Sequence, residues 1–416
     1  MRVAFKFAAW AMFCLALCGC DGDGYEPLRY TQVPGVSSTE ITLGSSLPLK
    51  GHASYLGTQT LRGALSYLRN VNALGGVHGR LITLQAIDDG YDPTRCLANT
   101  HQLISTGNVF SLFGFVGTPT TVRVLPLIEE AEIPLVGAFT GANALRVPFN
   151  PYVFNVRASY YQETKAAVEL LVSRMKYKRI AVFYQYDAYG FDGLMGTEIA
   201  LREHGLAPVA RGSYVRGGVD IEEALQRIVK AQPDAVVLVG TCKPCAEFII
   251  QADARGLDAA FFNLSFVGAE ELARRLPDDI KGDVLVSQVV PPPTSMQVDE
   301  LMGIAEEYVR HLHEYYPEDV PNAVGLEGYV NARVIVEGLR RAGRNLTRER
   351  FMKAMESMRE FPLGGYASVG FSSKDHQGLD SVYYTILNNG EFILMDDIDR
   401  QVKQNALVKR EEPVTK

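Results

Sequence analysis

Short apolar runs rich in β-branched residues alternate with longer amphipathic stretches from residue 41 onward. Runs of this length and content are typical of strands, and the stretches between them have the 3.6-residue period of helices. The pattern predicts strands over residues 41–47, 81–87, 109–115, 134–137, 179–184, 235–239 and 283–286. It predicts helices over residues 56–73, 119–131, 161–175 and 221–231. Repeated strand–helix units of this kind predict an α/β fold with parallel sheets covered by helices.

The units fall into two similar groups, which predicts two lobes. The first group runs to about residue 154 and the second restarts near residue 179; a helix-rich stretch and a final hairpin follow residue 290. The hairpin is predicted over 383–387 and 391–394, turned at residues 388–390. A body of roughly 360 residues also exceeds the size at which one hydrophobic core usually stops growing.

The first twenty residues have the three parts of a secretory leader. Arg2 and Lys6 precede an apolar run over residues 7–17, and a small residue then precedes Cys20. This junction resembles the lipobox of bacterial lipoproteins, in which the cysteine is lipidated and becomes the new N-terminus. Asp21 resembles the signal that retains a lipoprotein at the inner membrane. We expect a lipid-anchored periplasmic protein with a flexible tether over residues 21–39; a plain cleaved leader is the alternative.

Charge and composition limit the classes of binding partner that the chain can have. Loss of Arg2 and Lys6 with the leader reduces the 41 basic residues to 39 against 48 acidic ones, a net charge of about −9. A net negative charge of this size argues against nucleic acid as a binding partner. No later apolar run approaches the ~20 residues of a membrane helix, so lipid is the expected membrane attachment. We expect a monomer with neither a cofactor nor a metal.

Hydroxyl-bearing loops follow two neighbouring strands. Thr118 precedes Pro119 after the third predicted strand, a sequence typical of a helix N-cap and first turn. Free N–H groups, the helix dipole and the hydroxyls of Thr118 and Thr120 would together favour a carboxylate. Capping alone also explains the motif. Thr140 lies in a similar loop after the fourth strand, and two such loops side by side favour binding, because ligands of parallel sheets sit beyond the strands' carboxyl ends.

Longer motifs lie in the first predicted lobe at residues 44–48, 51, 55–57, 72, 75–77, 79–80, 88–89 and 92–93. Further motifs follow at residues 114–121, 133–135, 154–157 and 187–190, so that together they span nearly the whole body. In their order and spacing these motifs resemble the branched-chain amino-acid binding proteins, which are periplasmic binding proteins of fold type I serving ATP-driven transporters. The family implies two Rossmann-like lobes joined by three hinge crossovers and a ligand held between them.

The resemblance implies the positions of the ligand site. The carboxylate loops are implied at Gly117, Thr118, Thr120, Phe139, Thr140 and Gly141, with aromatic cleft residues at Tyr55 and Tyr189. On the second lobe, where amino-acid binders supply a tyrosine and an acid for the ammonium group, this chain has Thr241 or Cys242 and then Ser265. An unpaired buried charge is costly, which favours an amide or an amine-free carboxylate as much as an amino acid. Glu270, Asp187 or Glu327 would have to replace the missing acid.

Cys242 and Cys245 form a Cys-x-x-Cys motif after a predicted strand. A structural disulfide is the expected interpretation in an oxidising compartment, with ligand contact and redox or metal chemistry as alternatives. Cys96 is expected to be a buried free thiol.

Together these features predict a non-enzymatic solute-binding lipoprotein that delivers a small amino acid, amide or carboxylate to the permease and ATPase subunits of an ABC transporter. The alternatives are a ligand sensor that signals to a membrane receptor or kinase, and a thiol oxidoreductase. Hinges are expected near Arg157, Gln288 and Phe361. They divide the body into lobe 1, residues 40–157 with 289–361, and lobe 2, residues 158–288 with 362–400, followed by a tail over 401–416.

Overall fold

The structure is a computed structural model that describes residues 33–106 and 108–396. The predicted leader, the lipidation site Cys20, the tail over 401–416 and most of the tether lie outside these residues. The last part of the tether belongs to the folded body, which differs from the prediction. Thr42 N donates to Gly35 O at 2.8 Å, and Val36 pairs with Ile41.

The first sheet is parallel and has helices on both faces. Its strands, in the order β2-β1-β3-β4-β5, are β1 Glu40–Leu47, β2 Leu81–Asp88, β3 Ser111–Phe113, β4 Leu135–Val136 and β5 Val153–Phe154. The connecting helices are α1 Ser54–Ala73, α2 Pro93–Ser105 and α3 Thr118–Glu130. Leu43 and Phe113 face α1, whereas Leu112 and Leu135 pack with α2 and α3. Asp92 caps α2 by accepting the N–H groups of Thr94 and Arg95.

The second sheet is larger and mostly parallel. In chain order its elements are α4 Tyr160–Val168, β6 Ile180–Gln185, α5 Ala188–Glu203, β7 Ala210–Tyr214, α6 Glu222–Ala231, β8 Ala235–Val239, α7 Cys242–Ala254, β9 Ala260–Asn263, α8 Ala269–Ala273 and β10 Val284–Gln288. The predicted hairpin is confirmed as β13 Tyr383–Asn388 and β14 Glu391–Leu394, and it completes the order β14-β13-β10-β9-β8-β6-β7. Asn389 and Gly390 turn it with positive φ angles of 51° and 80°.

The helix-rich stretch after β10 packs on the first sheet. It contains α9 Val298–Met302, α10 Ile304–Tyr315, α11 Ala323–Ala342, α12 Arg348–Glu356 and a small sheet of β11 Phe361–Gly364 and β12 Ala367–Val369. Helix α11 lies along α1, where Gly63 approaches the backbone of Gly325 so closely that a Cβ would stand 1.8 Å from its carbonyl oxygen. The first lobe therefore depends on chain segments far apart in sequence.

The chain crosses between the lobes three times, and the last crossover differs from the prediction. The first lies between β5 and α4 and the second between β10 and α9. Leu363, Val369, Phe371 and Leu379 all pack in the first-lobe core. The third crossover therefore follows Leu379, not Phe361, because the β11–β12 hairpin buries its apolar residues on lobe 1.

The predicted two-lobed α/β fold class is confirmed. Among the described residues, no helix combines the length and apolar character of a membrane span.

Candidate ligand-binding site

The loops after β3 and β4 lie side by side, on the edge of lobe 1 that faces lobe 2. Val116 and Phe139 form a parallel bridge, and Gly117 N donates to Phe139 O at 3.1 Å. Tyr160, at the start of α4 in lobe 2, donates its N–H to Gly141 O at 2.8 Å. The two loops that were predicted to bind a carboxylate thus form one continuous surface in contact with the second lobe.

Thr118 and Thr140 meet at the centre of this surface. Their Oγ1 atoms are 2.7 Å apart, both residues are buried, and the Thr140 hydroxyl lies 3.4 Å from the Tyr160 hydroxyl. The predicted N-cap is wrong by one residue: α3 begins at Thr118, and the residue before it is Gly117 with φ 102°. A hydroxyl inside the first turn does not cap the helix, which leaves the Thr118 side chain facing Thr140.

Thr120 holds the loop in shape. Its hydroxyl donates to the carbonyl oxygens of Val116 and Gly117 at 2.7 and 2.9 Å. Gly117 has a positive φ, and a Cβ there would stand 2.1 Å from the ring of Tyr91. Both residues therefore shape the turn before α3, whose first N–H groups have no partner within the helix.

Aromatic side chains from both lobes surround the threonine pair. Phe139 and Tyr91 belong to lobe 1, whereas Tyr160, Tyr189 and Phe266 belong to lobe 2, and all five are buried. Phe266 lies 5.8 Å from both Tyr91 and Phe139 and 4.8 Å from Tyr189, measured between ring centroids. The buried Tyr189 hydroxyl has no hydrogen-bond partner. The lobes thus meet through packed rings, and the two threonines are enclosed behind them.

A buried charge cluster lies behind Phe139. The Arg157 guanidinium lies 4.8 Å from the Phe139 centroid, 3.1 Å from the Glu163 carboxylate and 3.5 Å from Glu327. Burial raises the pKa of Glu327 to about 7, and Arg157 offsets only part of that effect. Nη1 of Arg157 and Oε1 of Glu327 face each other as an ion pair without a hydrogen bond. Arg157 was predicted only as a hinge residue, yet it is a central polar group of the interlobe region.

Ser265 binds protein groups in this structure. Glu163 accepts its backbone N–H at 2.9 Å and its hydroxyl at 3.0 Å, and Ser265 Oγ also contacts Arg157. Glu163 further accepts the Ser287 hydroxyl at 2.6 Å. The sequence indicated that an acid is absent here, because Ser265 stands at its position. An acid does lie next to Ser265, but it is Glu163 of α4, and its carboxylate is already bonded to protein groups.

Tyr55 bridges the lobes at one side of the cleft. Its hydroxyl donates to Glu270 Oε2 at 3.4 Å, and its ring lies 5.1 Å from the Arg274 guanidinium. The other carboxylate oxygen of Glu270 accepts the N–H of Ala323, the first residue of α11, at 2.9 Å. Burial raises the pKa of Glu270, against the lowering effect of these bonds.

Asp187 and Thr241 position second-lobe loops. Asp187 caps α5 by accepting the N–H groups of Tyr189 and Gly190, and its other oxygen accepts from Gln185 at 2.7 Å. Thr241 donates its N–H to the Tyr214 hydroxyl at 2.9 Å. Of the three acids considered as ammonium partners, Asp187, Glu270 and Glu327, each already has a protein partner.

Cys242 and Cys245 are buried free thiols, so the predicted disulfide is not formed in this structure and stays a prediction. Burial raises the pKa of Cys242 to about 12 and that of Cys245 well above its usual value. Desolvation therefore outweighs the effect of the α7 N-terminus, which would by itself favour a thiolate. Cys96 is also buried and free, as predicted.

A cavity of about 110 Å³ opens between the lobes beside Tyr55. On the first-lobe side it is lined by residues 51–56, and on the second-lobe side by residues 241–243 together with Val267, Glu271 and Arg275. His52 is exposed and lines this cavity, with its ring 5.5 Å from that of Tyr91. We call this space the mouth cavity.

Tyr91, Tyr160, Glu163 and Phe266 were missed as site residues. The Ser-x-x-Gln capping box that starts α4 at Ser159 was visible in the sequence and would have placed Tyr160 and Glu163 in the first turns of a helix that directly follows the first crossover. Phe266 directly follows Ser265, which was predicted as a site residue, but a phenylalanine at this position carries no local signal of a cleft position.

The sequence profile of the family described as "Periplasmic binding protein" matches residues 40–391, which is most of the chain. The chain belongs to this family. The periplasmic binding protein is 28% identical over 317 residues to the Leu/Ile/Val-binding protein homolog 7 of Brucella abortus (strain 2308), a match over 73% of this chain and 77% of that one. Its structure is similar to that of a possible leucine/isoleucine/valine-binding protein from Rhodopirellula baltica SH 1, with a TM-score of 0.80 and 32% identity over 87% of this chain and 97% of the other. It is also similar to a substrate-binding periplasmic protein from Ralstonia solanacearum, with a TM-score of 0.78 and 30% identity over 85% and 100% of the two chains.

Proposed function

We propose that this periplasmic binding protein captures a small carboxylate-bearing or amide-bearing solute between its lobes and delivers it to the permease of an ABC uptake system. The observation that carries the proposal is the pairing of the Thr118 and Thr140 hydroxyls, 2.7 Å apart, at the N-terminus of α3. Hydroxyls and unpaired N–H groups at a helix N-terminus favour a carboxylate. Relatives named Leu/Ile/Val-binding proteins support a ligand of this class.

Capture requires the lobes to part and close. Thr118, Thr140 and Phe139 are all buried under second-lobe residues, so solvent and ligand reach them only in an open form. Tyr55–Glu270 and the Phe266 ring contacts cross between the lobes and would form on closure. A ligand that also contacts both lobes shifts the equilibrium towards the closed form, which is the form that a permease would recognise.

The acids of the cleft bear on the class of ligand. Glu163 accepts four hydrogen bonds from Ser265, Ser287 and Arg157, and Glu327 faces Arg157, so neither carboxylate is free for an ammonium group. An α-amino acid would have to share one of them, whereas an amide or a plain carboxylate needs no acid. We therefore propose that all three classes be tested.

Lipid anchoring through Cys20 and retention at the inner membrane through Asp21 complete the proposal. Radiolabelled palmitate should enter the wild-type protein in cells and should be absent from Cys20→Ala. Label in the Cys20→Ala protein would contradict the assignment of that cysteine.

Isothermal titration calorimetry of the purified protein tests capture directly. The panel contains alanine, leucine, phenylalanine, leucinamide, propionate, isovalerate and 3-phenylpropionate. Saturable binding of at least one compound, with a negative heat-capacity change from apolar burial, is expected. A folded protein that binds none of them contradicts the proposal.

Loss of uptake of the bound compound on gene deletion would assign transport, whereas unchanged uptake would favour the sensing alternative.

A further inference from the structure

Phe266 packs against the loop that carries Thr140. It lies on the 3-10 turn Ser265–Val267 after β9, and its side chain is completely buried. Its ring packs against Tyr189 of its own lobe and against Phe139 and Tyr91 of the opposite lobe. Phe139 belongs to the same loop as Thr140. The side chain of a second-lobe residue thus occupies the region into which the apolar part of a ligand bound at Thr118 and Thr140 would extend.

The turn that carries Phe266 is fixed at both ends. Glu163 accepts both the N–H and the hydroxyl of Ser265 at 2.9 and 3.0 Å. Gly268 ends the turn with φ 75°, a conformation that favours glycine, and a Cβ there would stand 3.1 Å from the Tyr55 ring. Because both flanks are held, a backbone movement of the turn cannot carry the Phe266 ring out of the cleft without breaking these contacts.

A chain of ring contacts leads from the mouth cavity to the loop of Thr140. His52 and Val267 line the cavity, the His52 ring contacts Tyr91, and the Tyr91 ring contacts Phe266. Phe266 in turn packs on Phe139, the residue before Thr140, and neither threonine lines the cavity of about 110 Å³. A ligand at the threonine pair would therefore meet the Phe266 ring before it could reach the mouth cavity.

We propose that Phe266 is a specificity-determining residue that limits the ligand to a small apolar group, about the size of a methyl or ethyl group. This inference rests on the proposed function. Protein interiors are close-packed, so a ligand with a branched or aromatic side chain would have to displace the ring. Removal of the ring would open space between the threonine pair and the mouth cavity and admit a larger ligand.

A purely structural role of Phe266 predicts a different result. If the ring served only to pack the closed lobes together, its removal would lower the affinity for all ligands by a similar factor. The ratio of two affinities separates these roles, because a common loss of closure cancels in the ratio.

The test is calorimetry of wild type, Phe266→Ala and Phe266→Leu with two pairs of probes, alanine against phenylalanine and propionate against 3-phenylpropionate. Phe261→Leu is the matched control, since Phe261 is equally buried but lies in the core of lobe 2 away from the cleft. Phe266→Leu keeps the test valid if the alanine variant does not fold.

Wild type and Phe261→Leu should bind the small member of a pair at least about tenfold more tightly than the aromatic member. Both Phe266 variants should reduce or reverse that ratio, with the larger change, about tenfold or more, in Phe266→Ala. Equal wild-type affinities within a pair, or a ratio unchanged by the variants, would overturn the inference while leaving solute capture intact. Failure of the folded wild type to bind any probe of the panel would overturn solute capture itself, and the inference with it.

Discussion

The Glu270 carboxylate of lobe 2 accepts the N–H of Ala323, the first residue of α11 in lobe 1, at 2.9 Å. Its second oxygen accepts the Tyr55 hydroxyl, which also belongs to lobe 1. One acidic side chain thus bonds to two first-lobe groups, and a negative charge at a helix N-terminus is stabilising. These contacts exist only while the lobes are together, so Glu270 stabilises the closed form.

Replacement of Glu270 by alanine should favour the open form. Hydrogen bonds to a charged group contribute ~1.5–3 kcal/mol, which corresponds to a loss of ligand affinity of roughly tenfold or more. Small-angle X-ray scattering should give a larger radius of gyration for the ligand-free variant. Glu223→Ala is the control, since Glu223 pairs only with Arg227 on the surface of lobe 2. Unchanged affinity and scattering in Glu270→Ala would contradict this role.

The buried pair of Arg157 and Glu163 should be strongly coupled. Removal of one member of a buried ion pair leaves an uncompensated charge and typically costs ~3–5 kcal/mol. We expect Arg157→Met and Glu163→Gln each to lower the free energy of unfolding by about that amount. The double variant should lose less than the sum, because the loss of Arg157 then no longer leaves Glu163 unpaired, nor the reverse. Urea unfolding of all four proteins measures the coupling, and strictly additive losses would show that the pair is not coupled.

Glu327 should make stability depend on pH. Its pKa is raised by burial from its ordinary 4.5 to about 7, so between these values the folded chain binds more protons than the unfolded chain. Stability from this group therefore falls as pH rises from about 4.5 to 7, by about 3 kcal/mol at most. Glu327→Gln should flatten this part of the stability curve. Denaturant unfolding at pH 5, 6 and 7 checks the slope, and identical slopes in the two proteins would argue against the shift.

Cys242 and Cys245 should react slowly in the folded protein. The thiolate is the reactive form, and burial holds the pKa of Cys242 at about 12. Peptide mapping after a short iodoacetamide pulse at pH 8 should find both cysteines unmodified, and both should be modified after unfolding with a reductant. Rapid alkylation of the folded protein, or catalysed reduction of insulin, would support the oxidoreductase alternative. Mapping without reductant also shows whether the predicted disulfide forms.

The parts of the fold that depend on periodic patterns were predicted from the sequence. The run over residues 235–239 became β8, and the amphipathic stretch over 56–73 became α1 with two further residues. Strand β7 was missed because its sequence, Ala-Arg-Gly-Ser-Tyr, is half polar, and β5 because it has only two residues. The helix predicted over residues 161–175 consists of α4 and of a π-helical segment, Glu169–Arg174, that follows it directly. Local periodicity does not distinguish the two kinds of helix.

The site was predictable only where a residue's role follows from its own loop. Thr118 and Thr140 follow adjacent parallel strands, so their proximity could be inferred from topology. Glu163 and Phe266 enter the cleft because of how one lobe closes on the other, which depends on tertiary contacts between distant segments. The final crossover was misplaced for the same reason, since no local signal shows which lobe covers the β11–β12 hairpin.

The affinity of a Thr118→Val, Thr140→Val double variant for whichever panel compound the wild type binds tests the central claim most directly. Thr42→Val, Thr83→Val is the matched control, because these two threonines are register partners on β1 and β2. With folding verified by thermal denaturation, calorimetry should show a loss of at least about tenfold in the first variant, since hydrogen bonds to a carboxylate contribute ~1.5–3 kcal/mol. The control should bind as wild type does. Full affinity in the Thr118→Val, Thr140→Val protein would contradict the assignment of these hydroxyls to the ligand.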